Sequence, residues 1–155
     1  MTFKSDIATH FGIDISEKQE HQFAIYFKEL IEYNEHTNLT RITDEQEVYY
    51  KHFFDSITML RVIDIAGIES MCDMGAGAGF PSIPIKILFP HVNVTIIDSL
   101  NKRIKFLEIL KGKLELTDVY LVHDRIENFA IKNQNKFDIV TARALGALPL
   151  IFELG

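Results

Sequence analysis

Ser70-Met71-Cys72-Asp73-Met74-Gly75-Ala76-Gly77-Ala78-Gly79-Phe80-Pro81 is the stretch on which the fold turns. A short apolar run leads into three glycines on alternate positions, and a proline of the kind that opens helices follows. The pattern predicts strand, tight loop, helix. Glycines so spaced let the backbone turn sharply and approach a ligand where a Cβ would intrude. The free N–H groups of a helix starting there face the same space. A second acid, Asp98, closes the next apolar run. A carboxylate at a strand tip suits a ribose, whose hydroxyls donate hydrogen bonds.

Outward from this stretch, the chain divides into two rhythms. In the first, Ser5 is read as the N-cap of a short helix that Gly12 ends. Ser16 with Gln19 forms a capping box ahead of the helical stripe Phe23, Phe27, Leu30 and Ile31, with Tyr26 and Tyr33 beside it. Asp44 with Glu47 repeats the signal before Val48, Phe53, Ile57 and Leu60. From Gly67 onward strands and helices alternate. Strands are expected at Ser70–Met74, Val92–Asp98, Val119–Val122 and Phe137–Thr141. Helices are expected between Pro81 and Pro90, over Asn101–Leu116 and around Arg125–Ile131. Pro84 fits only because it falls in the first turn of its helix. The helix over Asn101–Leu116 is expected to bury Ile104, Leu107, Ile109, Leu110 and Leu114. Alternation of this kind implies parallel strands joined by right-handed crossovers, hence an open α/β sheet. One domain is expected over 1–155, with 1–66 helical and 67–155 carrying the sheet.

The chain has 155 residues, 47% of them hydrophobic and 25% charged, enough for one good core. No apolar run approaches the roughly 18 residues that cross a bilayer, so no membrane association is expected. The N-terminus shows no signal-peptide pattern, and the only cysteine, Cys72, permits no intrachain disulfide. A cytoplasmic location is the expectation. A net charge of −6 argues against non-specific coating of nucleic acid, although not against one local basic face. The basic run Lys102, Arg103, Lys105, Lys111 and Lys113 is read as a solvated helix face.

In open α/β sheets ligands sit beyond the carboxyl ends of the strands. The Gly75 loop, Asp98, the Asp124–Glu127 turn and Arg143 each follow an expected strand, so all four converge on one edge. The third glycine comes one residue too early for the dinucleotide fingerprint, and no Walker lysine follows. Asp73, two positions before the first glycine, would repel a pyrophosphate yet could orient a cationic amino-acid tail. S-adenosylmethionine has such a tail and no phosphate. It is the expected cofactor.

Methyl transfer from a sulfonium depends mainly on positioning. No Asn-Pro-Pro-Tyr-like stretch is present for exocyclic amines. Cys72 lies inside a strand and reads as a buried structural thiol. His52 and Asp55 read as a surface polar pair, and the six histidines show no metal-ligand spacing, so no metal is expected. A ring nitrogen such as guanine N7 needs no base, since its attack releases no proton. That is compatibility and selects no acceptor by itself.

Further motifs carry a family resemblance. Asn38-Leu39-Thr40, Lys51-His52-Phe53-Phe54-Asp55-Ser56 and Gly75-Ala76-Gly77-Ala78-Gly79-Phe80-Pro81-Ser82-Ile83-Pro84 come first. Asp98-Ser99-Leu100 with Lys102-Arg103, Phe106-Leu107, Arg125-Ile126-Glu127 and Ala142-Arg143-Ala144 follow in order. The chain resembles the bacterial small-subunit (16S) rRNA guanine-N7 methyltransferases, the glucose-inhibited division protein B family (GidB/RsmG), from about Asn38 to Leu148. The resemblance implies a Rossmann-like class I S-adenosylmethionine-dependent methyltransferase with an N-terminal helical extension. It implies a monomer acting on 16S rRNA of the small ribosomal subunit. Carried over by position, Gly75, Phe80, Ile126 and Glu127 line the cofactor pocket and Asp98 holds the ribose. Arg143 borders cofactor and acceptor and is the catalytic candidate. Asp73, Gly77 and Gly79 complete the cofactor set.

Ala76, Ser82 and Asp124 depart from the family pattern, the last at the adenine end of the pocket. Relatives continue through further strands. On that comparison Gly155 falls inside a helix after the fourth strand, which would be left as an apolar edge of an incomplete sheet. Other readings remain open: a non-catalytic S-adenosylmethionine-binding form, a methyltransferase for a small molecule or protein, and a nicotinamide dehydrogenase.

Overall fold

The structure is a computed structural model describing residues 2–37, 44–132, 136–143 and 149–153. The Asn38-Leu39-Thr40 motif, Ala144, Leu148 and the side chain of Arg143 lie outside the described residues.

Helix α1 (Phe3–Phe11) is capped by Thr2, whose hydroxyl accepts from the Ser5 N–H while Ser5 bonds back. Ser5 is thus the third helical residue of a capping box and not the cap; the threonine hydroxyl is nearer the exposed N–H groups. Gly12 ends the helix in the left-handed region. Helix α2 (Glu17–Thr37) opens on the expected Ser16–Gln19 box, with reciprocal bonds of 2.8 and 3.1 Å. The next helical stretch starts at Asp44 as read, but it is not a uniform α-helix. A turn of α-helix, α3 (Glu45–Glu47), runs into a π-helical segment (Val48–Phe54), then α4 (Asp55–Ile57) and a 3-10 turn (Thr58–Arg61). A second 3-10 turn covers Ile65–Gly67. Tyr50 donates to Asp6 at 2.5 Å and ties α1 to the π-helical segment.

The α/β part follows the sequence closely. Its elements are β1 (Ser70–Met74), α5 (Ser82–Leu88), β2 (Asn93–Asp98), α6 (Asn101–Lys113), β3 (Val119–His123), α7 (Ile126–Lys132) and β4 (Ile139–Arg143). A further strand, β5 (Pro149–Glu153), pairs antiparallel with β4. That overturns the expected helix after the fourth strand and the expected bare β4 edge. The run Pro149-Leu150-Ile151-Phe152 is short and apolar, and pairing satisfies the backbone groups β4 would otherwise expose. Pro149 sits at the strand start, where a missing N–H is tolerated. Strand order is β3-β2-β1-β4-β5, with the first four parallel. The order reverses between β1 and β4, which puts the crevice of such a sheet beside the Gly75 loop.

Side chains alternate across the sheet. Met71, Val94, Ile96, Val119 and Ile139 face the N-terminal helices, α5 and α6 in the larger core. Cys72, Ile97 and Val140 form a smaller cluster with Phe129 of α7 on the other face. Phe23, Tyr26, Leu30, Phe53 and Ile57 are fully buried in the larger core. At roughly 1.5–3 kcal/mol for each fully buried large apolar side chain, the N-terminal helices are half of one core and no appendage. In α6 the buried set is Ile104, Phe106, Leu107 and Leu110; Ile109 is 43% exposed, contrary to expectation. The helix also ends at Lys113, where Leu114 caps it and Glu115 turns left-handed.

Two devices fix register. Lys86 is buried on α5, and its ammonium donates to Pro90 O at 2.7 Å and Val92 O at 2.6 Å, joining the helix end to β2. At the amino end of the sheet, Asp138 accepts from the N–H groups of Glu69 and Ser70, while its own N–H donates to Ser70 Oγ. This clasp holds β4 beside β1.

Candidate cofactor site

The loop after β1 begins with the Gly75 N–H donating to Ile97 O at 2.7 Å, so the strand ladder continues into the turn. Gly75, Gly77 and Gly79 have φ of 73°, 61° and 101°, values L side chains rarely adopt. Both Gly79 N–H and Phe80 N–H donate to Ala76 O at 3.1 Å, closing the loop, and α5 starts behind it.

The three glycines serve different ends. A Cβ on Gly75 would lie 3.6 Å from Ile126 Cδ1, which sets Ile126 of α7 against the loop. A Cβ on Gly77 would meet nothing within 4 Å, so this position borders open space. A Cβ on Gly79 would lie 2.7 Å from Tyr26 Oη and 2.8 Å from Ile83 Cγ1. The space beside Gly79 is therefore filled by the helical layer. Its glycine is required by packing there.

Asp73 shares a face with Met71 and lies beneath the loop, fully buried, its Oδ2 accepting from the Ser82 N–H at 3.2 Å. It anchors the start of α5. Thr141 stands opposite it in the β1–β4 register and is equally buried. Burial pushes the neighbouring Cys72 thiol up to about 12, with the Asp73 charge adding to the effect, which matches an inert structural thiol.

Asp98 ends β2 on the same face. It is 1% exposed; Oδ1 accepts from the Leu100 N–H at 2.9 Å and Oδ2 lies 3.5 Å from Arg103 Nη1. Its backbone carbonyl accepts from the Asp124 N–H at 3.2 Å, which draws the β3–α7 turn alongside. Glu127 stands exposed in the first turn of α7. Arg143 closes β4 at the same end of the sheet, its backbone in register with Pro149. The Gly75 loop, Asp98 and Ile126 thus meet at one edge, and the Arg143 backbone reaches that edge.

In the basic run, Arg103 faces Asp98, Lys111 donates to Val119 O at 2.7 Å and Lys113 pairs with Glu29 at 2.8 Å. Lys102, Lys105 and Lys113 are exposed, as a solvated face requires, and Arg103, Lys111 and Lys113 also hold specific partners. His52 is half-buried. Its ring stacks on Phe80, with centroids 4.5 Å apart and planes 9° from parallel. Among the described residues no group of three His, Cys, Asp or Glu side chains is placed to hold a metal ion. None of the described helices is long and apolar enough to cross a membrane.

Sequence reasoning missed Tyr26 and His52 as neighbours of the loop. Tyr26 donates to Ala78 O at 2.6 Å and stacks on Phe80 at 5.6 Å. A usable signal existed for Tyr26, a tyrosine one residue off an apolar helical stripe, because a buried phenol needs an acceptor.

The sheet order, the glycine loop after β1 and the acid at the tip of β2 define a Rossmann-like α/β fold. The family described as rRNA small subunit methyltransferase G (GidB) matches residues 19–155. The chain is 58% identical over 149 residues to the ribosomal RNA small subunit methyltransferase G of Pediococcus pentosaceus, covering 92% of this chain and 61% of that protein. It is 53% identical over 144 residues to the protein of the same name from Macrococcus caseolyticus, covering 92% and 60%. The chain belongs to the GidB family. It spans about three-fifths of the length of these curated relatives.

Proposed function

We propose that this chain carries the S-adenosylmethionine-binding part of a methyltransferase that modifies guanine N7 in 16S rRNA of the small ribosomal subunit. The observation that carries the reading is the left-handed Gly75–Gly79 loop set beside the buried carboxylate of Asp98. The names of the relatives, ribosomal RNA small subunit methyltransferase G, support the substrate class. A cytoplasmic monomer fits the same reading.

The residues present suit the cofactor. Open space at Gly77 leaves room for a ligand against the backbone. Asp98 is held from one side by Leu100 and Arg103, and a carboxylate oxygen has a second lone pair for a ribose hydroxyl. Ile126 offers an apolar surface next to the loop for a flat ring. Asp73 acts from beneath, by fixing the start of α5 and with it the loop. Glu127 completes the set on the α7 side, and Phe80, whose ring is buried in the helical layer, joins it on the loop side by its backbone. When bound, the cofactor supplies an electrophilic methyl group on sulfonium. What the protein adds is orientation and exclusion of water, which suffices for a ring nitrogen that sheds no proton on attack. Arg143, at the end of β4, is assigned to the boundary between cofactor and acceptor.

Calorimetry with S-adenosylhomocysteine tests the first half: one site per chain is expected, and no binding would remove the proposal. Transfer to isolated small subunits, in a chain spanning the length of its relatives, tests the second. There Arg143→Ala should slow transfer far more than it weakens cofactor binding; an unaltered rate would end the assignment.

A further inference from the structure

The geometry points to His52 as a positioning residue for the glycine loop, acting through the ring of Phe80. Phe80 is 2% exposed and lies between two flat groups: His52 at 4.5 Å and 9°, and Tyr26 at 5.6 Å and 12°. Three rings from three segments of the chain thus form one stack, and the member they share, Phe80, directly follows Gly79 of the loop. Tyr26 adds a second hold by donating to Ala78 O at 2.6 Å, inside the loop itself.

The element that brings His52 there is unusual. His52 belongs to the π-helical segment Val48–Phe54, and π-helical turns are rare and concentrate at functional sites. A wider turn narrows the angle between consecutive side chains, so that His52 and Phe53 both reach Phe80, at 4.5 and 6.0 Å. His52 O also accepts from Ser56 Oγ at 2.6 Å, and the N–H of Asp55 reaches the same carbonyl; both hold the turn where the helix returns to α geometry.

The loop has few bonds of its own. Gly79 and Phe80 N–H share one acceptor, Ala76 O, and three left-handed glycines give the free chain many other conformations. The ring stack selects one of these. Because the Gly77 side is open, the restraint comes from the helical layer and leaves the ligand side clear. His52 acts by the face of its ring, at one remove from any ligand.

Hydrogen exchange of the ligand-free protein tests the restraint without reference to any cofactor. His52→Ala should raise exchange at the Gly79 and Phe80 amides roughly three- to tenfold, the size of one lost ring contact, while Met71–Met74 stay protected. His52→Phe should restore protection, because it keeps a flat ring. Unchanged loop exchange in His52→Ala overturns the inference. So does a loss of protection shared with β1, which would make His52 an ordinary packing residue, and so does failure of His52→Phe to rescue. The second arm, which rests on the cofactor reading, measures S-adenosylhomocysteine affinity. His52→Ala should bind several-fold more weakly than wild type and His52→Phe about equally. If wild type fails to bind, that reading falls while the exchange result stands. Equal affinity of wild type and His52→Ala overturns the positioning role.

Discussion

Replacing Gly79 by alanine should destabilise the fold far more than the same change at Gly77, although the two lie in one loop. At Gly79 the new Cβ would come 2.7 Å from Tyr26 Oη, 2.8 Å from Ile83 Cγ1 and 3.2 Å from Leu107 Cδ2, with φ at +101°. Overpacking of this kind costs about 1–3 kcal/mol, and backbone strain adds about 1–2 kcal/mol. Displacing the Tyr26 hydroxyl from Ala78 O loses about 1 kcal/mol more, for a total near 3–6 kcal/mol. At Gly77 only the backbone term applies, since nothing lies within 4 Å of its Cβ position. Thermal unfolding by circular dichroism should therefore drop by about 6–24 °C for Gly79→Ala and about 2–8 °C for Gly77→Ala, at 2–4 °C per kcal/mol for a chain of this size. Tyr26→Phe combined with Gly79→Ala should cost less than the sum of the single changes, because removing the hydroxyl relieves the shortest contact. Equal losses at the two glycines, or full additivity in the double variant, would show that the helical layer does not press on the loop.

Other outcomes follow from the same geometry. Asp98→Ala should weaken S-adenosylhomocysteine binding by about 1–3 kcal/mol through lost ribose hydrogen bonds, read by calorimetry; an unchanged dissociation constant would contradict the ribose role. Gly77→Asp should abolish that binding while leaving a folded circular dichroism spectrum, and normal affinity would move the site elsewhere. Cys72, with its thiol pushed up to about 12, should resist a disulfide reagent at pH 8 in the native state and react at once in urea. Rapid native labelling would mean that β1 is not buried as described. Tyr50 is held protonated by its bond to Asp6, with its pKa raised above the ordinary tyrosine value. The contact therefore stabilises below about pH 10 and is lost as pH rises past the raised value, so a melting curve across pH 9–12 should fall less steeply in Tyr50→Phe.

What the sequence disclosed, and what it hid, divides along local and distant causes. The bounds of β1, the capping box at Ser16 and the Asp44 cap depend on neighbours within a few residues, and they were legible. The convergence of Gly75, Asp98 and Ile126 was legible too, since strand–helix alternation alone puts those loops at one edge. The π-helical segment was not, because an apolar stripe of Val48, Phe53 and Ile57 is compatible with more than one helical pitch. The packing demand at Gly79 was hidden for a similar reason: its steric partner, Tyr26, lies far away in sequence. Strand β5 was hidden by a resemblance that placed a helix there, while the apolar run Leu150-Ile151-Phe152 was compatible with either.

The Asp138 clasp gives the far end of the sheet authority over the near one. Five residues of strand separate Asp138 from Arg143, about 16 Å at 3.3 Å per residue. Sliding β4 by one position would turn Arg143 to the opposite face, and sliding it by two would carry it nearly 7 Å from its present neighbour. Substitutions at Ser70 or Asp138 are thus able to displace the carboxyl end of β4, which they never touch, by misaligning a rail they hold only at its other end.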